Sequence, residues 1–126
     1  MKIQMQIAAL LISFVLQAQP EEHFLSYRDG FKTEGFVDGK RLDTITAQYA
    51  TIKPSSGRKI VFDYGQYRDG KKEMTVTDRQ GLSLLFEDGN ISFMLNFLYH
   101  NGWEVQQVVP DLNTTQNIYL MKKRKP

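Results

Sequence analysis

The chain has 126 residues, no cysteine and a formal net charge of +2. This length suits one domain with one modest core, and the lack of cysteine excludes a disulfide-rich toxin or growth factor. Four basic residues form the segment 122–125, while residues 19–121 hold 11 basic and 14 acidic residues. A nucleic-acid-binding domain would carry a basic face, so we expect no nucleic-acid partner.

The first 18 residues have the pattern of a secretion signal. Lys2 precedes an apolar run over residues 7–16, and a small residue, Ala18, follows it. The run is shorter than the roughly 20 residues that span a bilayer, and no later segment reaches that length. We expect cleavage after Ala18 and an exported protein, periplasmic or extracellular, without a membrane span. An uncleaved signal that acts as an anchor is the alternative.

Residues 19–41 show no steady hydrophobic periodicity. Two turn pairs, Asp29-Gly30 and Asp38-Gly39, interrupt scattered aromatic residues. The segment is predicted to be a loosely structured N-terminal arm or a short hairpin, outside the single domain that we place at residues 42–124.

The pattern changes to period two from Thr44 onward. Ile45, Ala47 and Tyr49 alternate with polar or small residues up to Pro54, which breaks the run. This alternation predicts a strand that turns those three side chains toward one face of a sheet.

Three further strands are predicted before the next change of pattern. The first covers residues 58–66, and Asp69-Gly70 then has the composition of a type I′ hairpin turn. Two short strands, 74–77 and 82–86, follow and are joined by a turn at residues 78–81. With the strand before them, these segments are expected to form a meander.

Residues 91–101 are predicted to form an amphipathic helix. Asn90 suits the N-cap because its side chain can accept a bond from an unpartnered N–H, and Asn101-Gly102 suits the end of the helix. The residues that recur at helical spacing along one face are Ile91, Met94, Leu95 and Leu98.

The apolar arc of this helix is wider than a one-sided surface helix needs. Phe93 and Phe97 lie beside a narrow polar stripe of Ser92, Asn96 and His100, far from the face just described. We therefore predict that the helix is covered on two sides, by a sheet and by either the N-terminal segment or a partner molecule.

Two more strands are predicted after the helix. Residues 103–109 read as a strand, 110–116 as a polar loop and 118–123 as the last strand. The element order predicts an α+β fold, in which an antiparallel sheet of about six strands, a meander and then a hairpin, carries the helix on one face.

Two motifs and their order carry a resemblance. Leu95-Asn96 and then Gly102-Trp103-Glu104 precede a last strand that ends in YLMKKR, and Asp63-Tyr64-Gly65-Gln66 comes before them. The later block resembles a group of short domains of unknown function. The whole arrangement, over about residues 45–123, is similar to small exported proteins of the Bacteroidetes type. The resemblance implies a small α+β fold and export, and it implies no activity.

Residues that could carry chemistry are sparse. His23 and His100 are the only histidines, and no cysteine or His-x-x-x-His pair accompanies them, so no zinc site is predicted. The chain also lacks a Gly-x-Ser-x-Gly elbow and a Gly-rich phosphate loop. We predict no catalytic residue, no metal and no cofactor. Carboxylates on or beside different strands leave an acid/base pair for glycoside hydrolysis open; they are Asp63, Glu73, Glu87, Asp88 and Glu104.

The leading hypothesis is an exported, non-catalytic interaction module that binds another protein or itself through its sheet face or the Phe93/Phe97 flank. Trp103 has two interpretations, because tryptophan is favoured at binding hot spots but also suits a core plug between helix and sheet. The candidate binding surface consists of Phe93, Phe97, His100, Trp103 and Glu104.

Two alternatives remain open. A small periplasmic hydrolase acting on glycan or peptide would need a concave cleft with at least two convergent polar side chains, such as His100 with Glu104 or Asp63. An inhibitor or immunity-type protein would instead block a foreign hydrolase.

The basic C-terminal segment also has two interpretations. It discourages edge-to-edge pairing of the last strand as a solvated, charged end, or it gives a weak attraction to an anionic surface. Its members are Lys122, Lys123, Arg124 and Lys125.

Overall fold

The computed structural model describes residues 22–55, 58–66 and 73–125. The predicted signal at 1–18 and the predicted turn at Asp69-Gly70 lie outside these residues. The described chain forms eight strands and one α-helix, so the predicted α+β class is confirmed. In chain order the elements are β1 Glu22–Leu25, β2 Phe36–Val37, β3 Lys40–Arg41, β4 Tyr49–Ser55, β5 Lys59–Asp63, β6 Ser83–Phe86, α1 Ile91–His100, β7 Trp103–Pro110 and β8 Asn117–Lys123.

The largest sheet has four antiparallel strands in the order β5-β4-β8-β7. The predicted hairpin after the helix is confirmed as β7 and β8. The predicted meander is present, because β4, β5, residues 74–77 and β6 are successive antiparallel neighbours. The meander and the hairpin are joined by β8, the last strand of the chain, which lies between β4 and β7. Its Met121 faces Ala50 on one side and Val105 on the other, and Met121 is completely buried.

The remaining strands form two smaller pairs. β1 pairs with β6 in parallel, and β2 pairs with β3 antiparallel. Residues 74–77, predicted as a strand, form isolated bridges to Phe36, Val61 and Ser83. They meet three different strands and so build no continuous ladder, but they connect the four-stranded sheet to β6.

The first predicted period-two strand begins later than expected. β4 buries Ala50 and Ile52 and leaves Tyr49 exposed, so the predicted facing of Tyr49 is wrong. A short 3-10 turn at Leu42–Thr44 precedes Ile45, which is buried outside the strand. The buried position is therefore odd-numbered at Ile45, whereas the buried positions of β4 are even-numbered.

Of the two alternatives for this segment, the loose arm is wrong for the described residues 22–41, which pack tightly, whereas β2 and β3 form a short hairpin around Asp38-Gly39. Leu25 and Val37 are completely buried in the same hydrophobic core as the sheet and the helix. The strands here have only four and two residues, too few for a period to be visible in the sequence. Gly30 and Gly35 let the backbone approach Phe93 and Phe97, where a Cβ atom would clash with the rings.

The predicted helix and both of its ends are confirmed. The Asn90 side chain accepts a hydrogen bond from the Phe93 N–H at 3.1 Å, and Gly102 has φ +94° just past the helix. Asn101 is buried, and its Oδ1 accepts a bond from the Gly35 N–H at 2.8 Å. The helix is thereby tied to residues 22–41. No helix in the described part of the chain has the length and apolar character needed to cross a bilayer.

Trp103 joins the helix, the sheet and the preceding turn. The side chain is completely buried, its indole N–H donates to the Leu42 carbonyl at 2.9 Å, and its ring meets Phe62 edge to face at 5.3 Å. Of its two interpretations, the core plug is confirmed.

Candidate functional site

Three of the five predicted surface residues are buried. Phe93 is 5% exposed, and Phe97 and Trp103 are fully enclosed. Tyr27 packs on Phe93 with ring centroids 4.8 Å apart, and Phe86 meets both phenylalanines edge to face. The second cover of the helix is therefore the chain's own N-terminal segment. The predicted binding surface is wrong at these three positions.

His100 and Glu104 are exposed but line different clefts. His100 contacts the exposed Phe31 ring edge to face at 4.8 Å. Asp63 lies elsewhere, in a shallow groove on the outer face of the four-stranded sheet. Neither Glu104 nor Asp63 lines the cleft of His100, so the structure does not bring either of these two carboxylates into one cleft with it.

The basic C-terminal segment is partly built into the fold. Lys123 donates from its ammonium group to the Ile45 carbonyl, and Arg124 donates from Nη1 to the Tyr99 carbonyl at 2.8 Å. Both side chains are half-buried. The interpretation as a freely solvated end is therefore wrong for these two residues.

A histidine and a carboxylate meet at a site that the sequence patterns did not indicate. His23 Nδ1 lies 2.9 Å from Asp78 Oδ2, and Asp78 Oδ1 accepts bonds from the N–H groups of Gln80 and Leu82, both at 2.9 Å. Burial would raise the pKa of Asp78, but these hydrogen bonds outweigh it and hold the pKa below its usual range. Asp78 lies in a turn that the sequence predicts, but His23 is 55 residues away, and the pairing of β1 with β6 and the Phe36–Thr77 bridge bring the two segments together.

This pair borders a cleft of about 300 Å³. The cleft is also lined by Lys32, Thr33 and Glu34, and an ion pair between Arg79 and Glu34, 2.7 Å long, lies at its surface. The His23 side chain is 41% exposed, so its ring is accessible to a small molecule.

The second half of the β7–β8 hairpin is exposed on both faces. Exposure rises along β7 from 0% at Trp103 to 48% at Val108, and Leu112 in the connecting loop is 95% exposed. Val108 lies opposite Tyr119 on the core side, and Val109 lies opposite Ile118 on the outer side. No strand among the described residues pairs with the outer edge of β7. We call Val105, Val108, Val109 and Leu112 the hairpin patch.

Metal ligands do not gather in the part of the chain that the structure describes. Within it, no three His, Cys, Asp or Glu side chains are close enough together to hold one metal ion.

Comparison of the chain with protein-family models, with curated proteins and with solved structures finds no match.

Proposed function

We propose that the protein is a non-catalytic interaction module that binds an extended, uncharged segment of a partner protein along the outer edge of β7. The observation that carries the proposal is the exposed half of the β7–β8 hairpin, which lies beyond the helix and has no strand beside it among the described residues.

The backbone of β7 supplies the first element of recognition. An edge strand presents a row of unpaired N–H and C=O groups that an extended segment can complete, and native proteins usually protect such an edge with charges. In β7 the only charged residue is Glu104, close to the buried end. A bulge between Val105 and Gln107 interrupts the ladder, so the segment Gln107–Val109 is the continuous part of the free edge.

The hairpin patch supplies the second element. Its valines lie on both faces of β7 beside the same free edge, so their exposed apolar surface is within reach of one segment paired along that edge. Val108 and Val109 point to opposite faces of the strand, so a partner strand placed beside them can bury both. Leu112 extends the patch around the hairpin loop.

The composition of the hairpin indicates the chemistry of the partner. Residues 105–119 contain one charged residue, Asp111, in a chain whose residues are 24% charged. A charged partner segment would find no counter-charge along this edge and would lose hydration on binding. The best match is therefore an extended, uncharged segment with apolar side chains.

Site-specific crosslinking tests the proposal. A photo-crosslinking amino acid replaces Val109 in one variant and Asn96, which is exposed on α1, in a control variant. We expect the protein in its native compartment to form one defined adduct from position 109 and none from position 96. The adduct then identifies the partner, whose purified segment is titrated against the wild-type protein and the Val109→Lys variant.

The results of this experiment distinguish which molecule binds at the edge of β7. A crosslink between two copies, with a dimer in sedimentation equilibrium, would show that the chain itself supplies the strand. If the partner is a hydrolase that loses activity at a stoichiometric ratio, the module is an inhibitor or immunity-type protein. Equal crosslinking from positions 109 and 96 would contradict a binding role for the hairpin.

Export of this module is also a proposal. It is supported by the Lys2, apolar-run and Ala18 pattern and by the similarity of the Gly-Trp-Glu and Asp-Tyr-Gly-Gln motifs to small exported proteins of unknown function. Mass measurement of the protein recovered from the periplasm or medium, with cleavage after Ala18, is the expected result. An intact N-terminus in the cytoplasm would contradict it.

A small hydrolase acting on peptide is the second candidate, and the His23–Asp78 pair favours it. Asp78 holds one ring nitrogen of His23, as the buried carboxylate does in hydrolase triads, while the ring reaches a cleft. In this role His23 accepts a proton from water as the oxygen attacks the scissile carbonyl, and the proton passes to the leaving amine.

Hydrolysis of cell-wall peptides by the purified protein tests this candidate. Turnover that is lost in His23→Asn and in Asp78→Asn, but retained in Lys32→Gln on the same cleft, would support it. Absence of turnover, or equal turnover in all three variants, would remove it.

A further inference from the structure

A second cleft, separate from the β7 edge, lies where the end of α1 meets the end of β8. Its volume is about 580 Å³, within the range of small-molecule sites. The backbone of β8 fixes its walls, because the Lys123 N–H donates to the Gln48 carbonyl and the Arg124 N–H donates to the Gly102 carbonyl, both at 2.8 Å. His100 also lines this cleft.

Arg124 is held in one orientation at this cleft. Its guanidinium carbon lies 3.9 Å from the centroid of the Tyr99 ring, and Nη1 donates to the Tyr99 carbonyl at 2.8 Å. The guanidinium keeps further N–H donors, because the Arg124 side chain makes no second hydrogen bond within the described residues. A fixed planar donor set suits the oxygens of a phosphate or sulfate group.

Lys123 is the second fixed cation. Its ammonium group lies 5.2 Å from the Trp103 ring centroid and donates to the Ile45 carbonyl. It forms no ion pair with a carboxylate of the described residues. Burial lowers the pKa of Lys123, and the charge of Asp43 partly opposes that effect. A half-buried cation without a paired anion is stabilised when an anion arrives.

Asp43 is the one carboxylate on the cleft wall, and its charge is already engaged. Arg41 Nε donates to Asp43 Oδ1 at 2.5 Å, and this contact raises the pKa of Arg41. The cleft lining therefore holds three cations, Lys123, Arg124 and Lys125, against one carboxylate. The local potential favours an anion.

We propose that this cleft binds a phosphate or sulfate group, with Lys123 and Arg124 as the two preorganised cations and the exposed Lys125 as a third cation of the lining. The exposed rings of Phe31 and Tyr99 contact two lining residues, His100 and Arg124. A free small anion and the headgroup of a lipid both carry such a group. This site is independent of the proposed function of the β7 edge.

Titration with inorganic phosphate and sulfate tests the site, with NMR signals of His100 and of the Gly102 amide as the readout. Measurements at roughly 0.15 M ionic strength screen interactions between exposed charges that are more than about 8 Å apart. Vesicles of phosphatidylcholine that contain or lack phosphatidylglycerol form the second arm. They distinguish a lipid headgroup from a free anion as the source.

The variants compare fixed and exposed cations of equal charge. We expect saturable binding by the wild type and at least about tenfold weaker binding by Arg124→Gln, because a bidentate charge-assisted bond is lost. Binding should be unchanged in Lys32→Gln, because Lys32 is exposed and lies outside the cleft. Lys123→Met retains the stem over Trp103 and should also weaken binding. If Lys123→Met unfolds, Arg124→Gln and Lys32→Gln decide the question.

Two results would overturn the proposal. One is the absence of saturable binding of phosphate, sulfate and both kinds of vesicle. The other is an equal effect of Arg124→Gln and Lys32→Gln, which would reduce the cleft to nonspecific surface charge.

Discussion

The two ends of β7 have opposite environments although the whole strand has only eight residues. At the first end, Trp103 is completely enclosed between α1, the sheet and the Leu42 turn. At the other end, Val108 and Val109 are 48% and 41% exposed, and the hairpin loop carries Leu112 almost free in solvent. The same strand thus belongs to the core at one end and to the surface at the other.

The difference shows where stability and recognition are separated in this fold. The helix has ten residues and covers only the first part of the hairpin. Beyond it, apolar side chains contribute little to the core and remain available to a partner. Substitutions at the buried end should therefore change unfolding, and substitutions at the exposed end should change binding.

The largest effect is expected for Trp103→Ala. Removing a fully buried indole costs about 3–5 kcal/mol of unfolding free energy, which is a large part of the stability of a domain this size. Urea denaturation followed by circular dichroism measures the loss. Trp103→Phe should cost about 1–3 kcal/mol, because the Leu42 carbonyl then loses its donor.

Val108→Ala is the matched substitution at the other end of the strand. The side chain is about half exposed, and we expect its truncation to cost less than about 1 kcal/mol. Similar losses in Trp103→Ala and Val108→Ala would contradict the division of β7.

Gly35→Ala tests the second cover of the helix. A Cβ atom at this position would lie 2.8 Å from Leu42 Cδ1 and from Phe97 Cζ, both in fully buried side chains. Overpacking of this kind costs about 1–3 kcal/mol, measured as a shift in the urea midpoint. Gly39→Asn is the control, because Gly39 has open space around it and asparagine tolerates its φ of +73°. A neutral Gly35→Ala would show that residues 22–41 lie loosely on α1.

The dependence of stability on pH should show how much the ionised Asp78 side chain contributes to the unfolding free energy. Its pKa in the folded protein is lowered, so its stabilisation is present above the pKa of an unfolded aspartate, about 3.9, and is lost as pH falls through the lower folded value. Between pH 5 and pH 3, a span of about 2 units around that pKa, the unfolding free energy of the wild type should fall. That of the Asp78→Asn variant should fall less, because it lacks this carboxylate. The exposed Asp38→Asn variant should follow the wild type, and identical acid profiles for all three proteins would contradict the prediction.

Local signals in the sequence predicted the helix, its caps, the Trp103 plug and the last hairpin. Each of these depends on residues within about one turn or one strand of each other. Partners distant in sequence were not predictable in this way. The insertion of β8 beside β4, the parallel pairing of β1 with β6, and the burial of Phe93 and Phe97 by residues 22–41 all depend on contacts across 60 or more residues.

The candidate sites show the same contrast between features that local sequence signals predict and features that depend on contacts distant in sequence. The excess apolar arc of α1 correctly indicated a second cover, but the sequence could not decide between the N-terminal segment and a partner. His23 and Asp78 were not recognised as a pair, because neither stands in a motif with the other. The hairpin patch was not distinguished from a core strand, since Val105, Val108 and Val109 have the same composition as buried strand residues.

The most direct test measures stability and binding in one variant, Val109→Lys, against Asn96→Lys as control. We expect both variants to unfold within about 0.5 kcal/mol of the wild type. We also expect only Val109→Lys to lose at least about tenfold in affinity for the crosslinked partner segment, because a lysine at a strand edge opposes pairing. A Val109→Lys protein that binds as tightly as the wild type, or that unfolds as easily as Trp103→Ala, would contradict recognition by the exposed end of β7.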